Sequence, residues 1–426
     1  MNDYVSVPSH YIKLPIIAVA KKNGGIFIDG DWIESKDLSD SGFRYLTTGN
    51  VGAGEFKDQG TGYISDSTFH RLRCTEVMPG DILVSRLNLP IGRACIVPDV
   101  GERMVTAVDN VIIRPSDEFD RRFLVFLFSA QHHSEMMANL ARGTTMQRVS
   151  RSALGRARVY LPPFEEQTAI ANYLDLETAR LDGLIEKKGR FIELLKEKAL
   201  AYSDRCVTGQ TDSARDMRTS GIQWSPQLPA EWGVRRGKDL FREMARPVRS
   251  DDEIITAFRD GQVCLRSRRR TEGYTFAEKE VGYQRILKGD LVIHTMDAFA
   301  GAIGISEDNG KATGEYAVCT PKSPDIIPEY YALILRCMAR RNYIFVLCPS
   351  VRERAPRFRF VRFAPVMLPV PPRAEQEQIV ASIEEHTRRA KALIAKTERS
   401  IELLKEKRSA LITAAVTGKI DVRSAA

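Results

Sequence analysis

Along two stretches of the chain, apolar residues return at alternating intervals of four and three. In the first they are Leu181, Ile185, Ile192, Leu195, Ala199 and Tyr202, interrupted by Lys188. In the second they are Ala390, Ile394, Ile401, Leu404, Leu411 and Ala415, interrupted by Thr397 and Arg408. This spacing puts the apolar side chains on one stripe of an α-helix and calls for a helical partner. Paired prolines precede each stretch, acids and glutamine fill the first turn, and Thr208-Gly209 and Thr417-Gly418 mark the stops. Glu165 to Val207 is 43 residues, which at roughly 1.5 Å per residue makes a rod of about 65 Å. The expected partner of each rod is the other, in an antiparallel intramolecular coiled coil with Leu181, Ile185, Ile192, Leu195, Ile394, Ile401, Leu404 and Leu411 at its interface. The alternative lays each helix flat on its own domain.

Elsewhere the pattern changes. Short apolar runs such as "DILVS", "DNVIIRP", "DLVIH" and "YAVCTP" alternate with Gly, Asp and Pro turns, which predicts mostly β structure with some helix. "RRFLVFLFSAQHHSEMMANLA" and "EYYALILRCMARRNYIF" each read as one helix. The fold class is α+β: two mixed β/α domains in tandem, each followed by a long helix. The expected order is a first domain at 1–160, a spacer helix at 161–209, a linker at 210–232, a second domain at 233–369, a spacer helix at 370–418 and a tail at 419–426.

The chain repeats itself. "IELLKEK" occurs at Ile192 to Lys198 and again at Ile401 to Lys407, 209 positions on. At the same offset Pro162, Glu166, Gln167 and Ile170 return as Pro371, Glu375, Gln376 and Ile379, and "GDILVSRLNLPIG" at Gly80 returns as "GDLVIHTMDAFAG" at Gly289. One unit is written twice, with a variable part and a well-kept helical part.

Composition narrows the chemistry. The 426 residues carry a formal net charge of +8, which permits nucleic-acid binding without requiring it. Seven scattered cysteines without a C-x-x-C pair favour a cytoplasmic protein over a secreted one. The apolar run near the start precedes its lysines, the wrong order for a signal peptide, and no run is long enough to cross a bilayer. Six histidines form no zinc motif, and no G-x-x-x-x-G-K-[ST] loop is present. "LPPF" at Leu161 to Phe164 approaches the catalytic loop of adenine amino-methyltransferases, but Leu161 cannot accept a hydrogen bond from an exocyclic amino group. No catalytic residue and no metal site is assigned.

Arginine remains. Ala141 to Arg158 holds Arg142, Arg148, Arg151, Arg156 and Arg158 with no acid among them, and Arg340 to Phe363 holds seven arginines and one acid in the corresponding place. A third cluster is Arg266 to Arg270. The guanidinium fork suits phosphate and the O6/N7 edge of guanine. The DNA-binding candidates are therefore Arg142, Thr144, Gln147, Arg148, Arg266, Arg268, Arg269, Arg270, Arg352, Arg354, Arg357 and Arg359. Of these, Arg142, Arg148, Arg352 and Arg354 sit in turn-rich stretches suited to a groove, and the run of adjacent arginines at 266–270 suits phosphates. The competing reading is a solvated basic face, or an exposed strand for "RFRFVRF".

Together the P-P-x-x-E-Q-x-x-I starts of both rods, "IELLKEK" with its Thr-Gly end, "GDILVSR" with "GDLVIHT", and "SGIQWSPQLPAEW" resemble the specificity subunit of type I restriction-modification enzymes. The resemblance implies two target-recognition domains, each reading half of a split asymmetric site in double-stranded DNA. It implies a non-catalytic, cytoplasmic subunit that holds two methyltransferase subunits and, in some assemblies, restriction and translocation subunits. S-adenosylmethionine, ATP and Mg²⁺ would belong to those partners, with no cofactor, small-molecule substrate or membrane for this chain. A coiled-coil scaffold with two protein-binding domains, and a stand-alone methyltransferase or nuclease, are the alternatives. The first domain lacks the full lead-in of the second; only "VPSHYIKLP" resembles it, with Tyr11 in the place of Trp232.

Overall fold

A computed structural model of the chain describes residues 7–20, 25–60, 62–143, 146–211, 214–269, 282–348 and 357–422. The fold is α+β, with long helices at Phe164–Val207 and Arg373–Val416. The chain forms two compact units, residues 1–189 with 398–426, and residues 190–397. Each unit therefore contains one mixed domain and a segment of both long helices.

In the first unit a four-stranded antiparallel sheet runs in the order Ile26–Asp29, Asn110–Arg114, Ile82–Ser85, Ala94–Ile96. A second sheet is built from Leu38–Ser39, Tyr63–Ile64, Phe43–Leu46 and Met104–Thr106, the last pair parallel. Ile12–Pro15 pairs with Arg158–Leu161, just before the first long helix. The main core joins Ile82, Val84, Val111 and Ile113 of the first sheet to Phe123, Leu124 and Phe128 of the following helix. Ile170 and Leu174 of the first long helix and Ile412, Ala415 and Val416 of the second complete it.

The second unit repeats the plan. Phe241–Met244, Tyr316–Pro321, Leu291–His294 and Ile303–Ile305 form its antiparallel sheet, and Gly233–Arg236 pairs with Met367–Val370 before the second long helix. Its core holds Leu291, Ile293, Tyr330, Tyr331 and Leu335 together with Cys206, Val207 and Ile383 of the two long helices.

Two helices differ from expectation. The segment read as one helix after Asp120 is two, Arg121–Ser129 and Gln131–Leu140, broken at Ala130 with ψ 146°. Ala130 is fully buried, and the backbone N–H of Gln131 donates to Thr413 Oγ1 of the second long helix at 3.3 Å. A tertiary contact thus occupies the donor at the break. Its counterpart is Pro328–Arg340 followed by Tyr343–Val346, separated at Asn342 with φ +57°. "RFRFVRF" is not an exposed strand either. Phe360–Phe363 is a helical turn, and burial of Phe358 and Phe363 selects it.

The seam of the rods follows the predicted intervals. In the first unit Leu181 and Ala415 are buried, while Ile185, Lys188, Ile401, Leu404, Arg408 and Leu411 are half-buried. Arg408 Nε meets Asp182 Oδ1 at 2.9 Å, whereas residues 170–174 share a core with 412–416, so the two segments run antiparallel. In the second unit Ile192 and Thr397 are buried, with Leu195, Ala199, Tyr202, Ala390 and Ile394 half-buried. The Tyr202 ring stacks on His386 at 4.2 Å and its hydroxyl bonds Ser382 at 2.6 Å, while Cys206 and Val207 pack with Ile383, again antiparallel. Leu184, Phe191, Leu194 and Leu403, off the seam, are exposed.

The letters repeated at each rod start have a mechanical role. Gln167 Oε1 accepts from the backbone N–H of Asp120 at 3.0 Å and its Nε2 donates to Pro162 O at 2.9 Å. Gln376 does the same with Ile327 N at 2.9 Å and Pro371 O at 2.9 Å. Each glutamine is buried and pins its domain's helix to the start of the rod. At the other ends, Gly209 and Gly418 take φ +68° and +69°, the left-handed stop that Gly tolerates. Gly209 lies against Pro229 and Trp232, and Gly418 against Pro8 and Tyr11, so Tyr11 fills the position of Trp232.

Candidate nucleic-acid interface

The basic stretch before each rod reaches the same edge of its four-stranded sheet. In the first unit this edge gathers Asp29, Asp109, Arg86 and Arg93, which end or adjoin its four strands. The backbone N–H of Arg86 donates to Asp109 O at 2.8 Å, and that of Val149 donates to Arg86 O at 3.0 Å. This stitching delivers the Arg148 guanidinium to Asp109 Oδ1 at 2.8 Å. In the second unit Thr295 N donates to Glu315 O at 2.8 Å and Phe358 N to Thr295 O at 2.9 Å. Arg357 there pairs with Glu315 Oε1 at 3.1 Å, with Arg359 at 4.0 Å. Arg86 and Thr295, Arg148 and Arg357, and Val149 and Phe358 are each 209 positions apart. Two different sequences thus build one arrangement, an arginine held at the sheet edge by the acid preceding a core strand.

Around Arg148 the first unit adds further donors. Arg142 and Arg148 exchange backbone hydrogen bonds of 3.0 and 2.9 Å and close a tight loop. Gly143 makes it possible, with φ +110° and no room for a Cβ, which would stand 2.4 Å from Met146 O. Gln147 in this loop is exposed. Beneath it Arg86 is buried, donating to Val149 O at 3.2 Å and pairing with Asp29 at 3.0 Å. Burial pushes the Arg86 guanidinium below its ordinary value, and Asp29 acts in the opposite direction. Arg86 is thus a support for the edge, and the exposed Arg142 and Arg148 are its reach.

Beside this edge lies a groove of about 1160 Å³, lined by the basic Lys13, Arg142, Arg148, Arg156 and Arg158 and by the apolar Leu127, Met136, Leu140 and Val159. Among the described residues Glu135 is the one carboxylate lining it. The positions 209 further on from Arg156 and Arg158 are Pro365 and Met367, so the second unit does not repeat this charge.

The third cluster is arranged differently. Arg268 pairs with Asp308 at 2.6 Å, Arg269 with Asp260 at 2.8 Å while lying over the Phe258 ring at 4.3 Å, and Arg266 donates to Thr256 Oγ1 at 3.2 Å. Acids of the same unit meet the charges of Arg268 and Arg269. Thr144, Arg270, Arg352 and Arg354 lie outside the described residues. Sequence reasoning missed Asp109, Glu315 and Arg86. The available signal was that Arg86 and Thr295 directly follow the matched "GDILVS" and "GDLVIH" strands.

Leu161, in the stretch that approaches a methyltransferase loop, is buried and pairs with Ile12. Its prolines close a strand and launch a helix. Among the described residues no group of His, Cys, Asp and Glu could hold a metal ion, and no helix is long and apolar enough to cross a membrane. All seven cysteines are unpaired and buried.

Residues 19–192 match the type I restriction modification DNA specificity domain. The type I restriction enzyme EcoBI specificity subunit of Escherichia coli is 22% identical over 409 residues, covering 90% of this chain and 81% of that protein. The MjaVIII specificity subunit of Methanocaldococcus jannaschii is 24% identical over 187 residues, 42% of this chain and 43% of that one. Among solved structures, a chain from a type I restriction-modification system studied for its complex assembly and conformational transition superposes with a TM-score of 0.65. It shares 14% identity, over 97% of this chain and all of that one. The HsdS subunit of Thermoanaerobacter tengcongensis gives a TM-score of 0.56 at 14% identity, over 98% of this chain and all of that one. These likenesses establish the shared fold.

Proposed function

We propose that the chain is a type I restriction-modification DNA specificity subunit, a non-catalytic member of its enzyme, and that it reads a split, asymmetric duplex site, one half per repeat. Arg148 serves the first half and Arg357 the second, each aimed from its sheet edge. Arg142, Gln147 and Arg359 add hydrogen-bond donors around them, so that phosphate contacts position the chain and base-edge contacts specify the sequence. The observation that carries this reading is the pair of equivalent contacts, Arg148 with Asp109 and Arg357 with Glu315. They recur in two units whose surrounding side chains differ, as two dissimilar half-sites require.

The long helices act as spacer and as the seat for two adenine methyltransferase subunits, to which restriction and translocation subunits add. S-adenosylmethionine, ATP and Mg²⁺ belong to those partners. Methylation by them requires the target adenine to leave the base stack, while this chain holds the flanking duplex. One extra helical turn lengthens a rod by about 5.4 Å, on the scale of one or two base pairs at roughly 3.4 Å each. The test is long-read mapping of modified adenines with and without the gene. One bipartite motif should disappear on deletion, and an unchanged modification pattern overturns the assignment.

A further inference from the structure

Between the paired strands Ile82–Ser85 and Ala94–Ile96 the chain makes a loop whose tip, Leu89, is 69% exposed. An isolated exposed leucine needs no explanation on a surface. This one is different because the loop beneath it is held from several sides. The Arg93 fork donates to the carbonyls of Leu87 at 3.2 Å, Asn88 at 2.9 Å and Pro90 at 3.2 Å, and also to Thr48 at 2.9 Å and Val51 at 2.7 Å. Ile91 is buried in the core, and Gly92, at φ +83°, returns the chain by donating to Ser85 O at 2.8 Å. A Cβ at Gly92 would meet Met137 Cγ at 2.5 Å, so the base of the loop is close-packed.

The loop also borders the proposed reading edge. Leu87 is bridged to Arg148 through the backbone, and the neighbouring Arg142–Arg148 loop carries the exposed Gln147 and Met146, the latter 60% exposed. Hydrogen-bonding and apolar groups therefore stand side by side. That combination suits base edges, where donors and acceptors alternate with the thymine methyl group, and it suits wedges that part a base step. In the second unit the corresponding loop ends at Gly301, φ +92°, and exposes Met296 and Phe299, 40% and 36%. The positions matching Leu89 and Arg93 there are Ala298 and Ala302, both fully buried, so the second unit does not repeat this tip or its clamp.

We propose that Leu89 is a specificity-determining residue, making an apolar contact with one base of the first half-site from a loop preorganised by Arg93. The proposal rests on the reading of the chain as a type I specificity subunit. The test uses the full chain assembled with its methyltransferase subunits, comparing wild type, Leu89→Ala and Met296→Ala by mapping of modified adenines. Leu89→Ala should relax one position of one half by about 5- to 10-fold, at the low end of a single base-pair mismatch. The other half and the gap should be unchanged, and Met296→Ala should leave that position alone. Deoxyuridine substituted for each thymine of the affected half then identifies a methyl contact by reproducing the loss in wild type but not in Leu89→Ala. A 2-aminopurine beside the position, brighter with wild type than with Leu89→Ala, identifies a wedge. If wild type yields a bipartite motif and Leu89→Ala yields the same motif at the same rates, this proposal fails alone. If wild type yields no bipartite motif, the functional reading fails first.

Discussion

The indole nitrogen of Trp232 donates to Glu375 Oε2 at 2.9 Å. The bond ties the residue before the second domain's Gly233–Arg236 strand to the first turn of the second long helix. Arg215 donates to the other oxygen of the same carboxylate at 2.6 Å and lies 5.3 Å from the Trp232 ring. In the first unit the equivalent Glu166 accepts from Tyr11 at 3.3 Å and faces His10 at 2.8 Å. A glutamate kept for favourable placement at a helix start also anchors the lead-in to each domain.

Removing Glu375 strands the indole N–H of a residue that is 1% exposed. Glu375→Ala should therefore lower stability by about 1–3 kcal/mol. Glu166→Ala should cost less, because the His10 side chain is half exposed and water can replace the lost partner. Urea or thermal unfolding of the two variants checks the order.

Glycines within and just beyond the long helices divide into two kinds. Gly209→Ala and Gly418→Ala each force a Cβ onto a left-handed residue and against proline, at 2.3 Å from Pro229 Cγ and 2.5 Å from Pro8 Cγ. Both should destabilise the fold by more than about 1 kcal/mol. Gly183 and Gly189, inside the first helix with open space at the Cβ position, should each gain about 0.5–1 kcal/mol as alanine. Opposite shifts of the unfolding midpoint are the measurement.

His133 is fully buried against Phe128, and burial pushes its pKa down from 6.5 to about 3. In the unfolded chain the ring takes up a proton near pH 6.5, but in the folded chain it does not until about pH 3. Between these values the unfolded state binds more protons, so stability falls as pH falls through that window. His133→Phe should flatten the acid limb of a stability-versus-pH curve, and an unchanged slope counts against the assignment.

Arg148→Gln should weaken binding of the assembled complex by about 5- to 100-fold on duplexes carrying the first half-site, and relax that half alone. Arg357→Gln should do so for the second half. Arg268→Glu should weaken all duplexes alike, as loss of a phosphate contact does. Competition binding at fixed salt, with each half randomised in turn, separates the three.

The chain order alone determined the repeat, the two rods, their seam and their antiparallel pairing, because a 4,3 apolar stripe along each rod has few ways to leave water. The family resemblance was likewise carried by short local motifs. Only the tertiary structure decided where Ala130 breaks its helix, since burial and a backbone donor overrode local propensity there, whereas the left-handed turn at Asn342 is one that asparagine takes readily. It also decided which arginines matter as neighbours. Arg148 and Asp109 are 39 positions apart, and Arg357 and Glu315 are 42 apart, yet strand pairing sets each acid beside its guanidinium. Charge is written residue by residue, but the partner that aims or neutralises it is chosen by register across a sheet, and no one-dimensional pattern records that.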